Sequence, residues 1–255
     1  KGDTLHAAVS PHCGCSWLIK MDVQNFFESI SELSVFRVFT SLGYEPLVSL
    51  EMARICTRLG GRSRLRATDR WRAQSWQWPA IQAYQTYWLG HLPQGAPTSP
   101  MLANLTVREF DAALASLARA HGLTYTRYAD DLTLSSKDKS FSRERCGQVI
   151  GATYQLMGSF GLSPNATKTR VASPGSRKIV LGLLADGPEP RLTREFRAAM
   201  RQHLYYLRRP DVGPLGHARA RGFSSVVGMH NHLRGLALYA RQIDVAYGEE
   251  CLRAL

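Results

Sequence analysis

The stretch YTRYADDLTLSS (Tyr125–Ser136) sets two adjacent aspartates, Asp130 and Asp131, between two β-rich aliphatic runs. Carboxylates repel when crowded and are penalised when withdrawn from water. A hairpin with two of them at its tip therefore needs a reason. A solvated turn is one, because Asp is common in turns. A cation site is the other, and it gains weight from Asp22. SWLIKMDVQNFF (Ser16–Phe27) is a short apolar run interrupted by that residue, and it reads as a buried strand ending there. A strand-end carboxylate facing a hairpin-tip pair would supply oxygen ligands to magnesium, which keeps water and phosphate as its other ligands. Two divalent ions ~3.5–4 Å apart clamp the attacking and leaving oxygens of a phosphoryl transfer. On that reading the tip is crowded because it holds cations.

Charge narrows the partner. The 255 residues carry a formal net charge of +12, which favours a polyanion, nucleic acid before an acidic membrane surface. No apolar run reaches the ~18 residues of a membrane span, and no signal peptide is visible, so no membrane partner and a cytoplasmic location are expected. The cysteine count is 5. An odd number at scattered spacing argues against a disulfide framework. HCGC (His12–Cys15) lacks the second half of a structural zinc site.

Several elements are legible around the aspartates. ELSVFRVFTSLG (Glu32–Gly43) has helical periodicity, with Val35, Phe36, Phe39 and Leu42 on one face. In LPQGAPTSP (Leu92–Pro100), Ser99 is expected to cap a helix opening at Pro100 and ending at Gly122. A further helix is expected from about Ser142 to Phe160, and RKIVLGLLAD (Arg177–Asp186) reads as a buried strand or tight hairpin. Beyond it, Phe196, Met200, Leu204 and Leu207 line a helix that must stop before Pro210. A second amphipathic stretch covers about Phe223 to Tyr247. The segment from about residue 58 to 90 carries Arg58, Arg62, Arg64, Arg66, Arg70 and Arg72 with Trp71, Trp76 and Trp78, and reads as a basic insertion. Its pattern suits nucleic-acid stacking and phosphate contact, or docking of a partner protein.

YADD in its hairpin, DVQNFF upstream and LPQGAPTSP between them resemble a reverse transcriptase, in that order. The resemblance is to retron and retron-like bacterial enzymes. It rests also on LPQGAPTSPMLANL, NATKT (Asn165–Thr169) and SRKIVLGLL ahead of a basic helical tail, and it covers nearly the whole chain. By this resemblance Asp22, Asp130 and Asp131 are palm carboxylates holding two Mg²⁺ ions, with Mn²⁺ as a substitute. Asp131 acts less directly, and Val23 lends a backbone carbonyl. Phe27, five residues after Asp22, matches the steric gate, where a large ring leaves no room for a ribose 2′-hydroxyl. Its neighbour Phe26 is expected on the opposite, core side by strand alternation. Gln94, Gly95, Ala96 and Pro97 match the loop beside nucleotide and template. Lys168 matches a lysine near the pyrophosphate, and Lys1 a fingertip contact to the triphosphate. Tyr128, Leu181, Gly182, Leu183, Arg194 and Arg201 fall at positions facing primer and template. Two retron motifs are altered: AVSPH (Ala8–His12) keeps only the histidine of Asn-Ala-x-x-His, and VLG (Val180–Gly182) replaces Val-Thr-Gly. Those regions bear on recognition of the enzyme's own RNA, and the polymerase chemistry does not depend on them.

The resemblance implies an α+β right-hand polymerase: partial fingers and an antiparallel palm sheet backed by helices over 1–188, and a helical thumb over 189–255. It implies an RNA-directed DNA polymerase using dNTPs and a noncoding RNA template, with complementary DNA as product and antiphage defence as setting. An effector protein or a second copy of the chain is an open partner. The rivals are a defence-associated enzyme making untemplated or repetitive DNA, and an RNA-binding scaffold with a vestigial site.

Overall fold

The computed structural model describes residues 5–59 and 89–255. Lys1 and the insertion residues Arg62 to Trp78 lie outside the described residues. In chain order the elements are α1 (Leu5–Val9), β1 (Trp17–Asp22), α2 (Glu32–Ser41), α3 (Pro46–Cys56), α4 (Ser99–Thr106), α5 (Arg108–Ala120), β2 (Thr124–Tyr128), β3 (Asp131–Ser136), α6 (Arg143–Ser159), β4 (Arg170–Ala172), β5 (Ile179–Val180), β6 (Leu183–Leu184), β7 (Arg191–Leu192), α7 (Arg194–Arg208), α8 (Gly213–Ala220), α9 (Val226–Ile243) and α10 (Val245–Ala254). The strands form a four-stranded sheet in the order β2-β3-β1-β4 and a three-stranded antiparallel sheet, β5-β6-β7. Contacts group the described residues into two compact units, one drawn from 19–134 and 141–171, the other from the chain up to 18 with 135–140 and 172–255. No helix among the described residues is long and apolar enough to cross a membrane.

The first unit carries the aspartates. β1 and β3 are interior strands, paired on both edges, and nearly every residue in them is buried, so both faces are covered. Ile19, Met21, Leu132 and Leu134 are all buried. Only two residues, Ala129 and Asp130, separate β2 from β3, which forces an antiparallel hairpin. α5 turns Phe110, Leu114 and Ala118 inward at helical spacing and packs against β2. α6 packs on α5, and Ser142 caps it by accepting the Arg145 N–H at 3.2 Å.

Two local expectations are corrected. The helix expected from Pro100 to Gly122 is two helices, because Val107 leaves helical geometry (φ −94°, ψ 14°) between α4 and α5. Ser99 is not the cap: it lies in the first turn of α4, and its hydroxyl donates to the Pro93 carbonyl at 2.7 Å. That bond closes the loop at 93–99 on itself, a different use of the same hydroxyl. The basic insertion leaves and returns at one point, since Arg58 and His91 exchange two backbone hydrogen bonds of 3.0 Å.

In the second unit, β5 and β6 pair Val180 with Leu183 across the two-residue loop Leu181-Gly182. Both loop residues have positive φ, 48° and 80°. That is the requirement of a type I′ turn, whose twist matches a hairpin. Val9, Cys13, Cys15, Leu18, Leu183 and Leu192 share one core with Ala240 of α9. His12 is fully buried, and its Nδ1 lies 2.7 Å from the Ser135 hydroxyl. Burial lowers its pKa to about 4, with Lys137 adding to the effect, so the ring is neutral near pH 7. α7 ends at Arg208, ahead of Pro210, as expected. The stretch expected over 223–247 is α9 followed by the start of α10, and Asp244 ends the one while its carboxylate accepts the Tyr247 N–H to begin the other.

Candidate active site

Backbone pairing brings the two aspartate-bearing segments together. The N–H of Val23, one residue beyond Asp22, donates to the Asp130 carbonyl at 3.0 Å. On the other edge, Asn165 donates its N–H to the Asp22 carbonyl at 2.8 Å and Gln24 donates to Ser163 at 2.8 Å. Those two bonds flank an isolated bridge between Val23 and Pro164. The N–H and C=O of an extended residue point to the same edge of its strand, so the Val23 carbonyl also faces the hairpin tip. The NATKT segment is thereby stitched to β1. A 3₁₀ turn, Ala166–Lys168, then carries Lys168 back over it.

Lys168 donates from Nζ to Asp22 Oδ2 at 3.0 Å. The Asp22 side chain is only 9% exposed, whereas the lysine side chain is 62% exposed. The Asp22 carboxylate holds the ammonium above its ordinary pKa, with Asp130 and Asp131 adding. Burial pushes the Asp130 carboxyl above the ordinary carboxylate range. Its own backbone N–H opposes that, the charges of Asp22 and Asp131 push it further, and Lys168 opposes it. The three carboxylates therefore form one repelling group with, among the described residues, Lys168 beside it.

Among the described residues no three His, Cys, Asp or Glu side chains already converge into a cation cage. The donor set nevertheless fits a hard divalent ion: carboxylate oxygens and a backbone carbonyl, with no sulfur or imidazole. An ion there would relieve the repulsion that raises Asp130.

The hairpin tip is strained. Ala129 has φ 51°, a left-handed conformation that costs a non-glycine residue roughly 1–2 kcal/mol. Arg127 holds it there. Its guanidinium donates to the Ala129 carbonyl at 3.0 Å, to Asn104 Oδ1 at 2.9 Å, and to both oxygens of Asp111 at 2.8 and 2.6 Å. The Tyr125 hydroxyl donates to Asp111 Oδ1 at 2.7 Å. Sequence reasoning missed this network. The available signal was Tyr125 and Arg127 at i and i+2, which must share a face of β2, next to an acidic residue on the preceding helix. Ala129→Gly is expected to raise the melting temperature, by up to about 1 kcal/mol of stability, while lowering catalytic activity because the tip loosens. Thermal unfolding alongside dNTP incorporation checks the two signs, and a fall in both would contradict strain at Ala129.

The other predicted site residues sort by unit. Phe26 is buried at 3% exposure and Phe27 is half-buried. Phe27 opens a 3₁₀ turn, Phe27–Ser29, so turn geometry and not strand alternation separates the two rings. Gln94 and Gly95 are exposed and Ala96 is half-buried. Gly95 has φ +90° with open space where a Cβ would point, so backbone conformation, not crowding, requires glycine. Tyr128 is 56% exposed at the end of β2. All these belong to the aspartate-bearing unit, whereas Leu181, Gly182, Leu183, Arg194 and Arg201 belong to the other. Arg194 and Arg201, two turns apart on α7, are both exposed.

Residues 2–207 match the family model described as reverse transcriptase (RNA-dependent DNA polymerase). The chain is 30% identical over 244 residues to the retron Ec86 reverse transcriptase of Escherichia coli, an alignment covering 95% of this chain and 65% of that protein. It is 31% identical over 259 residues to the retron Mx65 reverse transcriptase of Myxococcus xanthus, covering 99% of this chain and 52% of that protein. The chain thus spans between about half and two-thirds of the length of these relatives.

Proposed function

This chain belongs to the reverse transcriptase (RNA-dependent DNA polymerase) family, and we propose that it copies an RNA template into DNA at the Asp22, Asp130 and Asp131 site. The observation that carries this is the pairing of Val23 with Asp130, which seats a buried strand-end aspartate beside a strained two-aspartate tip. A vestigial scaffold gains nothing from keeping such a repelling cluster.

The reaction is attack of a primer 3′-hydroxyl, or an RNA 2′-hydroxyl, on the α-phosphorus of a dNTP. The new P–O bond forms as the bond to pyrophosphate breaks, and the proton of the attacking hydroxyl passes to solvent water. Asp22, Asp130, Asp131 and the Val23 carbonyl would hold two Mg²⁺ or Mn²⁺ ions, which when bound supply Lewis-acid polarisation and neutralise phosphate charge. Lys168 bonds to Asp22 with its side chain largely exposed, placed to meet the leaving pyrophosphate and donate a proton to it. Phe27 lies beneath the sugar, and Gln94 to Ala96 border the nucleotide. The β5–β6 turn at Leu181 to Leu183 supports the primer strand, and Arg194 and Arg201 on α7 contact phosphates, with Tyr128 beside the primer end. This is the division of labour of a right-hand polymerase with fingers, palm and thumb. The same reading takes a noncoding RNA as template, a cytoplasmic setting and a role in antiphage defence.

Incorporation of labelled dNTP by the full chain tests the function. It should require Mg²⁺ and an RNA template, and it should halt at the first templating base whose complementary dNTP is omitted. Incorporation that ignores both template and omission would favour untemplated synthesis, and none at all would favour a scaffold.

Phe27→Ala is expected to raise the ratio of kcat/KM for ribonucleotides over deoxynucleotides by about 10- to 100-fold, the range set by relieving a clash of ~1–3 kcal/mol. An unchanged ratio would make Phe27 a packing residue. RNA binding should weaken steeply with salt, and Arg201→Ala should reduce the slope of log K against log[salt] by about 1. A slope that Arg201→Ala does not alter would remove α7 from the RNA-binding surface.

A further inference from the structure

The second unit contains a cavity of about 460 Å³ lined by Arg177, Arg191, Arg194, Arg197, Leu184 and Leu192, with Asp186 the one acidic residue in its wall. The polymerase reading above takes only Arg194 from its wall, as a phosphate contact, and gives no role to the pocket itself. Its cations are held in different ways. Arg197 is fixed on both sides: it pairs with Asp244 at 2.5 Å, and its guanidinium stacks 4.4 Å from the centre of the Tyr247 ring. Arg177 is committed to Glu195 through bonds of 2.8 to 2.9 Å, but that pair is more than half exposed and contributes little to stability. Arg191 and Arg194, unlike Arg177 and Arg197, are in no ion pair within 4 Å among the described residues. The Arg191 guanidinium lies flat on Gly187, where a Cβ would sit only 3.2–3.3 Å from it. Asp186 forms no ion pair with it among the described residues, and its Oδ1 accepts the Lys178 backbone N–H at 2.8 Å.

Guanidinium groups gathered around a concave apolar floor, four against the single carboxylate of Asp186 in the wall and two of them in no ion pair among the described residues, fit one ligand chemistry. We propose that this pocket binds a phosphate monoester, with Arg191 and Arg194 as the principal donors, Arg197 as a fixed wall and Leu184 and Leu192 beneath the attached nucleoside. The fork of a guanidinium donates two parallel bonds to phosphate oxygens, and a terminal phosphate carries more charge and more free oxygens than an internal diester. The cavity falls in the range that takes a nucleotide-sized ligand, ~300–1,000 Å³. Two sources present this chemistry: the 5′-phosphorylated end of a nucleic-acid strand, and a free nucleotide.

The test is made in EDTA, where divalent ions do not support nucleotide binding at the aspartates, so its failure is separable from failure of the polymerase assignment. Anisotropy titrations compare a short labelled oligoribonucleotide carrying a 5′-phosphate with the same sequence ending in a 5′-hydroxyl. In parallel, ADP and inorganic phosphate are titrated into the full chain by calorimetry. If the strand end is the ligand, the 5′-phosphate form binds at least about tenfold tighter than the hydroxyl form, and ADP competes only weakly. If the free nucleotide is the ligand, ADP binds saturably at one site and the two oligonucleotides bind alike. In either case Arg191→Gln abolishes the phosphate-dependent binding and leaves the 5′-hydroxyl oligonucleotide affinity within about twofold of wild type. Gly187→Ala, which displaces the Arg191 guanidinium without removing it, gives an intermediate loss. Absence of both 5′-phosphate preference and saturable ADP binding would overturn the proposal. So would a phosphate preference that survives Arg191→Gln in a folded protein.

Discussion

Asp130→Asn is expected to lower dNTP incorporation by about 10³-fold or more, because it removes a carboxylate that would hold a divalent ion, and the ion's charge would offset several kcal/mol of developing phosphate charge, and at the same time to make the protein harder to unfold. The two effects share one cause. Burial and the neighbouring charges of Asp22 and Asp131 raise the Asp130 pKa in the fold. A carboxyl whose folded pKa is raised contributes stability below its unfolded value, about 3.9. That contribution is lost as pH rises through the folded value, since the ionised form is the one the fold disfavours. At pH 7 the wild type therefore carries an electrostatic penalty that the amide lacks. Without divalent ions the variant should melt higher at pH 7, and the difference should close as pH falls toward 4. Added Mg²⁺ should raise the melting temperature of the wild type and leave that of the variant nearly unchanged. A variant that melts lower than wild type at pH 7 without metal would mean that Asp130 is a structural ligand. Full activity in it would remove Asp130 from the chemistry.

Arg127→Leu is expected to destabilise the fold by about 2–4 kcal/mol. Breaking a buried pair by removing one partner costs ~3–5 kcal/mol. The Arg127 side chain is 7% exposed, but Asp111 keeps 30% and recovers some hydration, which lowers the figure. The substitution also leaves the Tyr125 hydroxyl as the sole side-chain donor to Asp111 in this network and frees the Ala129 carbonyl. Activity should fall further than the loss of folded protein explains, since the bond that holds the tip is gone. The pairing is isolated by adding Asp111→Leu. If the pair acts as a unit, the double variant should be more stable than Arg127→Leu alone, because the orphaned buried charge is removed. Additive losses would contradict a shared network. In chemical denaturation, a change below about 0.5 kcal/mol for Arg127→Leu, the scale of ordinary surface substitutions, would place it outside the core.

The parts of this molecule that local pattern controls were legible before any coordinates. The Asp22 strand, the hairpin around Asp130-Asp131, the helix from Ser142 and the stop before Pro210 all follow from period and propensity read within a dozen residues. What escaped depends on pairing at a distance or on a single dihedral. Ser99 has the residue type of a cap, but a carbonyl six residues back competed for its hydroxyl. Val107 is an ordinary residue in an apolar periodic stretch, and nothing in its type announces the break between α4 and α5. Arg127 meets an aspartate 16 positions upstream, and helix and strand periods do not say which helix face meets which strand. The left-handed Ala129 has no signature at all, since alanine is the residue that least advertises such a turn. The three aspartates were legible as a candidate site because carboxylates are rare in buried strands. The way Val23 and Asn165 lock that strand between the hairpin and the NATKT turn was not, because backbone bonds leave no mark in residue type.

The most direct measurement is the sequence of the DNA that the purified chain makes on an RNA of designed, non-repetitive sequence with Mg²⁺ and all four dNTPs. RNA-directed synthesis at Asp22, Asp130 and Asp131 predicts DNA complementary to the designed template, absent with Asp130→Asn. Homopolymeric or repetitive DNA unrelated to the template, or complementary DNA made equally well by Asp130→Asn, would contradict it.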